Sequence, residues 1–233
     1  YKSISLLKKI VIRFMFYNLK HQTIVFVSKE AELKARCMFK LKNTHNIYNI
    51  YNIYNVPSSE LNKVDTTNIR LGSISRLHAV KNIDLLIRVF KKVKFTLPNI
   101  ELLIYGSGDQ QEDLEKYIKS QGCSDKIKLL GVSNDKQKMY SSIDAMVSFS
   151  SIEGLPTAIL ESIGFQVPIL YTDCSSGPRE LMSPNSDPLI KTNNYEKTCI
   201  GYLVKPTKNM ASYLIDLDSY EEEYVDIMLR FID

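Results

Sequence analysis

Histidine is scarce in this chain, and that shortage bears on its chemistry first. Only His21, His45 and His78 occur, and their spacing matches no metal-ligand pattern. The four cysteines, Cys37, Cys123, Cys174 and Cys199, lie far apart and form no CxxC pair. They suit a reducing compartment and argue against a disulfide framework or a zinc site. No apolar run approaches the roughly 18 residues of a membrane span, and no signal peptide with a cleavage site is visible. A strong charge excess is missing too. The 30 basic and 26 acidic residues leave +4, too mild to announce a nucleic-acid partner. An initiating methionine is also lacking: the chain starts at Tyr1 and stops at "LRFID" inside a helical pattern. Both ends are expected to be those of a piece of a longer protein.

What is present is ordinary for a soluble globular chain: 233 residues, 44% apolar and 24% charged. That suffices for one large domain, or for one domain and part of another. From residue 68 onward, short apolar strands alternate with helical patterns. "IRLGSIS" (69–75), "IELLIYG" (100–106), "KIKLLG" (126–131), "AMVSFS" (145–150) and "PILYTD" (168–173) read as strands. Between them, "KNIDLLIRVFKKVKF" (81–95), "DQQEDLEKYIKSQG", "DKQKMYSSI" and the stretch after Leu155 read as helices, with Gly122 closing the second. This alternation predicts an α/β fold, a parallel sheet flanked by helices. Ligands of such sheets bind beyond the carboxyl ends of the strands. The loops that follow the strands are therefore the candidates for function.

The first 65 residues differ. "TIVFVSKE" (23–30) reads as strand into helix, and "HNIYNIYNIYNVPSSE" (45–60) carries a threefold "NIY" repeat. A period of three fits neither helix nor strand. Its last copy is expected to end a strand before a linker, and the earlier copies to be an insertion lying in a loop. Residues 1–29 hold six Lys/Arg and no acid. Such a face suits anionic lipid, but "IVIRFMFY" is apolar nearly all round, and a buried helix is the favoured reading.

Three strand-to-helix loops carry chemistry. "SRLHAVKN" follows the first strand and places Arg76 and Lys81 five residues apart, a pair suited to neutralising a diphosphate. "GSG" (106–108) follows the second, where glycines let backbone approach a ligand. The dinucleotide fingerprint is broken there, because Gln111 stands at its third glycine position. "SSIEGLPTAILES" (150–162) follows the fourth and holds Glu153 and Glu161, eight positions apart. Pro156 suits the first helical position, which leaves Glu153 in the loop and Glu161 inside the helix. The free N–H groups near Thr157 and Ala158 then form an anion site. Even on one continuous helix the two carboxylates would stand roughly 12 Å apart along the axis. That is too far for a coupled acid/base pair.

Arg76 and Lys81, then "EGLPTAILE", then "DCSSGPREL" (173–181) resemble the nucleotide-sugar-binding half of a GT-B glycosyltransferase of family 4, over about residues 66–206. Residues 22–60 are similar to the last strand-helix-strand of that fold's acceptor-side domain. The resemblance implies a Rossmann-like donor domain over 66–233 and a partial N-terminal domain with its linker over 1–65. Arg76 and Lys81 would grip the donor diphosphate, with Ser75 and Gly106 close by. Glu161 would accept hydrogen bonds from the ribose hydroxyls, and Glu153 would face the sugar. Gly154, Leu155, Pro156 and Thr157 would wall sugar and phosphates, while Gly131 and Val132 would meet the base.

The implied reaction is retaining transfer of a hexose or N-acetylhexosamine from a UDP-sugar to a glycan or lipid-linked acceptor in surface-polysaccharide assembly. Sequence leaves open whether Glu153 acts as a nucleophile or an electrostatic stabiliser, and the stabiliser is the favoured reading. No cofactor or metal is required, and the nucleotide-sugar is the substrate. A cytoplasmic setting is expected, with membrane-face contact as a further reading. The alternatives are a non-catalytic nucleotide-sugar-binding module that needs a partner, and, less favoured, a GT-B-fold sugar epimerase. Two positions depart from the family pattern, Ser75 and Gln166 standing where glycine is usual. "DLD" (216–218) resembles a metal-binding DxD but lies away from the predicted site, and no function is assigned to it.

Overall fold

The computed structural model describes residues 6–18, 24–39, 47–49, 67–208, 213 and 216–233. In chain order the elements are α1 (Leu6–Asn18), β1 (Ile24–Phe26), α2 (Lys29–Phe39) and β2 (Ile47–Asn49). Then come β3 (Ile69–Ile74), a 3₁₀ turn (Ala79–Lys81), α3 (Ile83–Thr96), β4 (Ile100–Tyr105), α4 (Gln111–Ser120) and β5 (Ile127–Gly131). These are followed by α5 (Lys136–Ser141), β6 (Ala145–Ser148), α6 (Thr157–Gly164), β7 (Ile169–Thr172) and α7 (Pro178–Met182). The chain continues through β8 (Tyr195–Thr198), β9 (Gly201–Val204) and α8 (Ser219–Ile232).

β3 to β9 form one sheet in the order β5-β4-β3-β6-β7-β9-β8. Every neighbouring pair is parallel except β8 with β9. The predicted α/β fold with a Rossmann-like sheet is therefore present. All four residues of β6 and all four of β7 are buried, as expected where helices cover both faces. α3 buries Ile83, Leu86, Ile87, Phe90 and Val93 at helical spacing against one face. Each such side chain contributes about 1.5–3 kcal/mol of burial. Met139, Tyr140, Ile159 and Phe165, from α5, α6 and the turn after α6, fill the other face. α8 closes the first layer through a buried ion pair in which Arg88 reaches both Asp84 and Glu221.

Two helix ends explain sequence features. At Gly122 (φ +65°) the Gly122 N–H donates to the Lys119 carbonyl and the Cys123 N–H to Ile118, a Schellman cap. The same bonds close α6, from Gln166 N–H to Ile163 and from Val167 N–H to Ser162. Here a glutamine, and not a glycine, takes the left-handed position (φ +55°), at a cost of about 1 kcal/mol. Asp218 of the "DLD" caps α8 in a reciprocal capping box with Glu221, which gives that motif a structural role.

The amino-terminal part departs from expectation in two ways. The first "NIY" copy is a strand, since Ile47–Asn49 pairs in parallel with Ile24–Phe26. The last copy lies outside the described residues. α1 is not a buried helix: Leu6, Leu7, Ile10, Val11, Phe14 and Met15 are 51–74% exposed. At 100° per residue these six occupy one half of the helix, flanked by Lys8 and Arg13. α1 packs on α2. No helix among the described residues is long and apolar enough to cross a membrane.

Candidate functional site

The chain runs from central β3 outward to β4 and β5, then crosses back to β6 on the other side of β3. That reversal opens a crevice at the carboxyl ends of β3 and β6, the place where open α/β sheets bind ligands. The loops bordering it are the two that hold Arg76 and Lys81, and Glu153. Asn82 links them, its Nδ2 donating to the Phe149 carbonyl at 3.0 Å.

The "GSG" glycines serve a neighbouring loop. A Cβ on Gly106 would lie 1.8 Å from the Ser75 carbonyl oxygen, and one on Gly108 would lie 2.1 Å from that of Leu77. The Leu77 N–H donates to Ser107, and the Gly106 N–H donates to Gly131 at the end of β5. Backbone contact thus locks the loops after β3, β4 and β5 into one floor.

On this floor lies an open cavity of about 280 Å³, bordered by Ser75, Arg76, Gly106, Val132, Thr157 and Glu161 among the predicted residues. Tyr105, Ser107, Ser133, Lys136 and Ala158 complete much of its rim. Arg76 is exposed on it, and so is Thr157, the first residue of α6. Pro156 stands one place earlier than predicted, at the N-cap with extended backbone (φ −72°, ψ 108°). Its fixed φ is compatible with either position, and the extended ψ excludes it from the helix. The N–H groups of Thr157 and Ala158 remain at the helix start, beside the cavity.

Lys81, Gly131, Glu153, Gly154, Leu155 and Pro156 lie outside that cavity lining. Lys81 Nζ bonds Glu153 Oε1 at 2.6 Å, with both side chains about nine-tenths buried. The Tyr171 hydroxyl donates to the same oxygen at 2.7 Å. Burial, and then the Glu153 charge, push the Tyr171 phenol well above its ordinary range, so it stays a donor. Glu153 Oε2 has no hydrogen-bond partner among the described residues. Cys174 beneath it is pushed up to about 12 by burial and the same carboxylate, and is an inert thiol. Leu155 and Pro156 are buried, backing the loop, and Gly154 is exposed.

Glu161 has a parallel arrangement beside the cavity. Lys136 Nζ meets its Oε1 at 2.6 Å, and the Tyr140 hydroxyl donates to Oε2 at 3.1 Å. The Lys136 side chain is 47% exposed. Sequence reasoning missed Lys136, Tyr140 and Tyr171, none of which belongs to a short motif. Their only signal was position, on the helix following β5 and on the strand preceding "DCSSGPREL".

The loop after β7 braces the Glu153 loop. The Glu153 N–H donates to the Ser175 carbonyl at 2.6 Å, and the Ser176 N–H donates back to Glu153 at 2.9 Å. Arg179 fixes this segment from below, bonded to Asp173 at 2.5 Å and to Glu196 of β8 at 2.9 Å. Beyond it sits α2. The Glu180 carboxylate accepts from the Lys29 and Glu30 N–H groups at 2.7 and 2.8 Å. Glu30 is fully buried, paired with Lys34 and Lys191. Burial alone would raise it, but hydrogen bonds from these lysines and Ser175 outweigh that and hold it below the usual carboxylate range.

Comparison with known proteins agrees with the fold. The family described as "Glycosyl transferases group 1" matches residues 55–224. An uncharacterised glycosyltransferase of Methanocaldococcus jannaschii is 32% identical over 167 residues, 69% of this chain and 41% of the relative. A Campylobacter jejuni enzyme named as an N-acetylgalactosamine-N,N'-diacetylbacillosaminyl-diphospho-undecaprenol 4-alpha-N-acetylgalactosaminyltransferase is 32% identical over 109 residues, 47% of this chain and 29% of that one. Among solved structures, Staphylococcus aureus TarM, in a complex with UDP, superposes with a TM-score of 0.69 at 20% identity. That match covers 97% of this chain and 39% of TarM. Anabaena HepE with UDP and glucose superposes at 0.66 and 16% identity, over 97% of this chain and 58% of HepE. These likenesses describe the fold. The chain spans about two fifths of the length of the first curated relatives it matches.

Proposed function

Because the chain belongs to the group 1 glycosyltransferases, we propose that it is the donor half of a retaining glycosyltransferase. It would take a hexose or N-acetylhexosamine from a UDP-sugar and pass it to a glycan or lipid-linked acceptor in surface-polysaccharide assembly. The observation that carries this reading is the cavity at the crevice, where exposed Arg76, the start of α6 and Glu161 line one floor. A diphosphate fits the cation and the free N–H groups. A ribose diol fits the Glu161 carboxylate one turn inside the helix, and the base fits against Val132.

The sugar then lies toward Glu153. As the anomeric bond to the diphosphate breaks, Arg76 and Lys81 stabilise the departing charge and the free Glu153 oxygen faces the developing positive charge on the sugar. The acceptor oxygen attacks from the face the diphosphate leaves, and its proton passes to the leaving diphosphate. No covalent intermediate is needed. The donor itself is the substrate, and no cofactor is part of the proposal.

The test is thermal and calorimetric. Saturating UDP should raise the melting temperature, since a ligand at a hundred times its Kd adds about 2.7 kcal/mol of stability. The absence of any shift counts against the donor site. A second reading is a nucleotide-sugar-binding module completed by a partner. Turnover of a UDP-sugar by this chain alone would sink it. A cytoplasmic setting belongs to the same proposal, with the outward apolar half of α1 and its flanking cations laid on an anionic membrane face. Failure to sediment with anionic vesicles would remove that contact.

A further inference from the structure

The wall behind Glu153 is not built by the large sheet alone. Ser28 is fully buried at the start of α2, where its Oγ donates to Ser176 Oγ at 3.0 Å and accepts from the Ala31 N–H at 3.3 Å. Ser176 Oγ in turn donates to the Gly154 carbonyl at 2.9 Å. Lys34 Nζ reaches Ser175 Oγ at 2.5 Å. The Glu180 carboxylate takes the first two N–H groups of α2. Gly154 itself faces the Val27 side chain, since a Cβ on it would stand 3.7 Å from Val27 Cγ2, and a Cβ on Gly177 would come within 2.8 Å of the Gly154 oxygen. A continuous hydrogen-bonded path therefore runs from the amino-terminal segment, through Ser176, into the backbone next to Glu153.

We propose that Ser28 and Glu180 are positioning residues for the donor-sugar subsite: docking of α2 on the loop after β7 sets the Glu153–Gly154 backbone and hence the free oxygen of Glu153. The inference rests on the reading of Glu153 as the sugar-side carboxylate and adds a cause for its geometry. In this arrangement the nucleotide site, built by β3, β4, β5 and α6, is independent of α2. The sugar subsite is not. Docking of the amino-terminal part and completion of the sugar subsite are one event.

The experiment titrates the intact chain with UDP, UDP-glucose, UDP-galactose and UDP-N-acetylglucosamine in a calorimeter, for the unmodified protein, Ser28→Ala and Glu180→Gln. In both variants the Kd of the tightest UDP-sugar should rise about fivefold or more, the loss expected for one hydrogen bond, while that of UDP stays within about twofold. A merely structural role would weaken UDP and UDP-sugar alike. Parallel weakening, or no change beyond about twofold in either ligand, overturns the inference and leaves the donor site standing. Ser28→Ala, which deletes one oxygen, carries the test if Glu180→Gln fails to fold. UDP failing to bind the unmodified chain overturns the donor-site reading itself. If UDP binds and none of the three sugars does, the sugar-side assignment of Glu153 falls, and the inference with it.

Discussion

Glu153 and Glu161 occupy two regions that look alike and are built differently. Each carboxylate takes one lysine and one tyrosine. At Glu153 both donors converge on Oε1, the lysine is almost buried, and the second oxygen is left over. At Glu161 the donors divide between the two oxygens, and the lysine is about half in solvent. A buried pair on one oxygen fixes a carboxylate and aims its free edge. A half-exposed lysine is exchangeable, and a ligand hydroxyl can share or displace it at little cost. The difference fits the two roles proposed, a rigid sugar-side group and an adaptable ribose-side group.

The comparison is broken most severely at its buried lysine. Lys81→Ala strands the Glu153 charge, and urea denaturation should show a loss of about 3 kcal/mol. A loss below 1 kcal/mol would mean that water already solvates the pair. Glu161→Ala should weaken UDP by about 1–3 kcal/mol in calorimetry, while Glu153→Ala leaves UDP affinity alone. Equal losses in both would erase the distinction between the two sides. Tyr171→Phe keeps the ring packing and removes one donor from Glu153, for about 1 kcal/mol of stability. The smallest effect belongs to Lys136→Ala, under about 1 kcal/mol because the pair is half solvated. A Lys136 effect as large as that of Lys81 would show the two lysines to be equivalent.

The strands from β3 to β7 and the helices between them were legible because their periods differ and glycine, proline and capping residues separate them. The β8–β9 hairpin was not, since "YEKT" is a polar edge strand without an apolar run. The two glutamates and Arg76 could be placed because motif and helix start lie within a few residues of each other. Their partners could not: Lys81 and Glu153 are 72 residues apart, and Lys136 and Glu161 are 25 apart. Only the crossover from β5 to β6 brings such pairs together. The reading of α1 as buried failed for a related reason. Apolarity in a sequence shows that a face wants cover, and says nothing of whether a described neighbour provides it.

Glu180 caps the start of α2 from about 150 residues downstream, and that separation has a consequence for the order in which the molecule assembles. α2 leaves the ribosome long before the residue that caps it. Its first two amides have no protein acceptor until β7 and α7 are in place, and long-range closures are the slow ones. The helix that braces the Glu153 loop should therefore be among the last parts to gain protection. Pulsed hydrogen exchange during refolding would show this as late protection of the Lys29 and Glu30 amides relative to β3 and β4. Early protection there would mean that α2 is stable on its own.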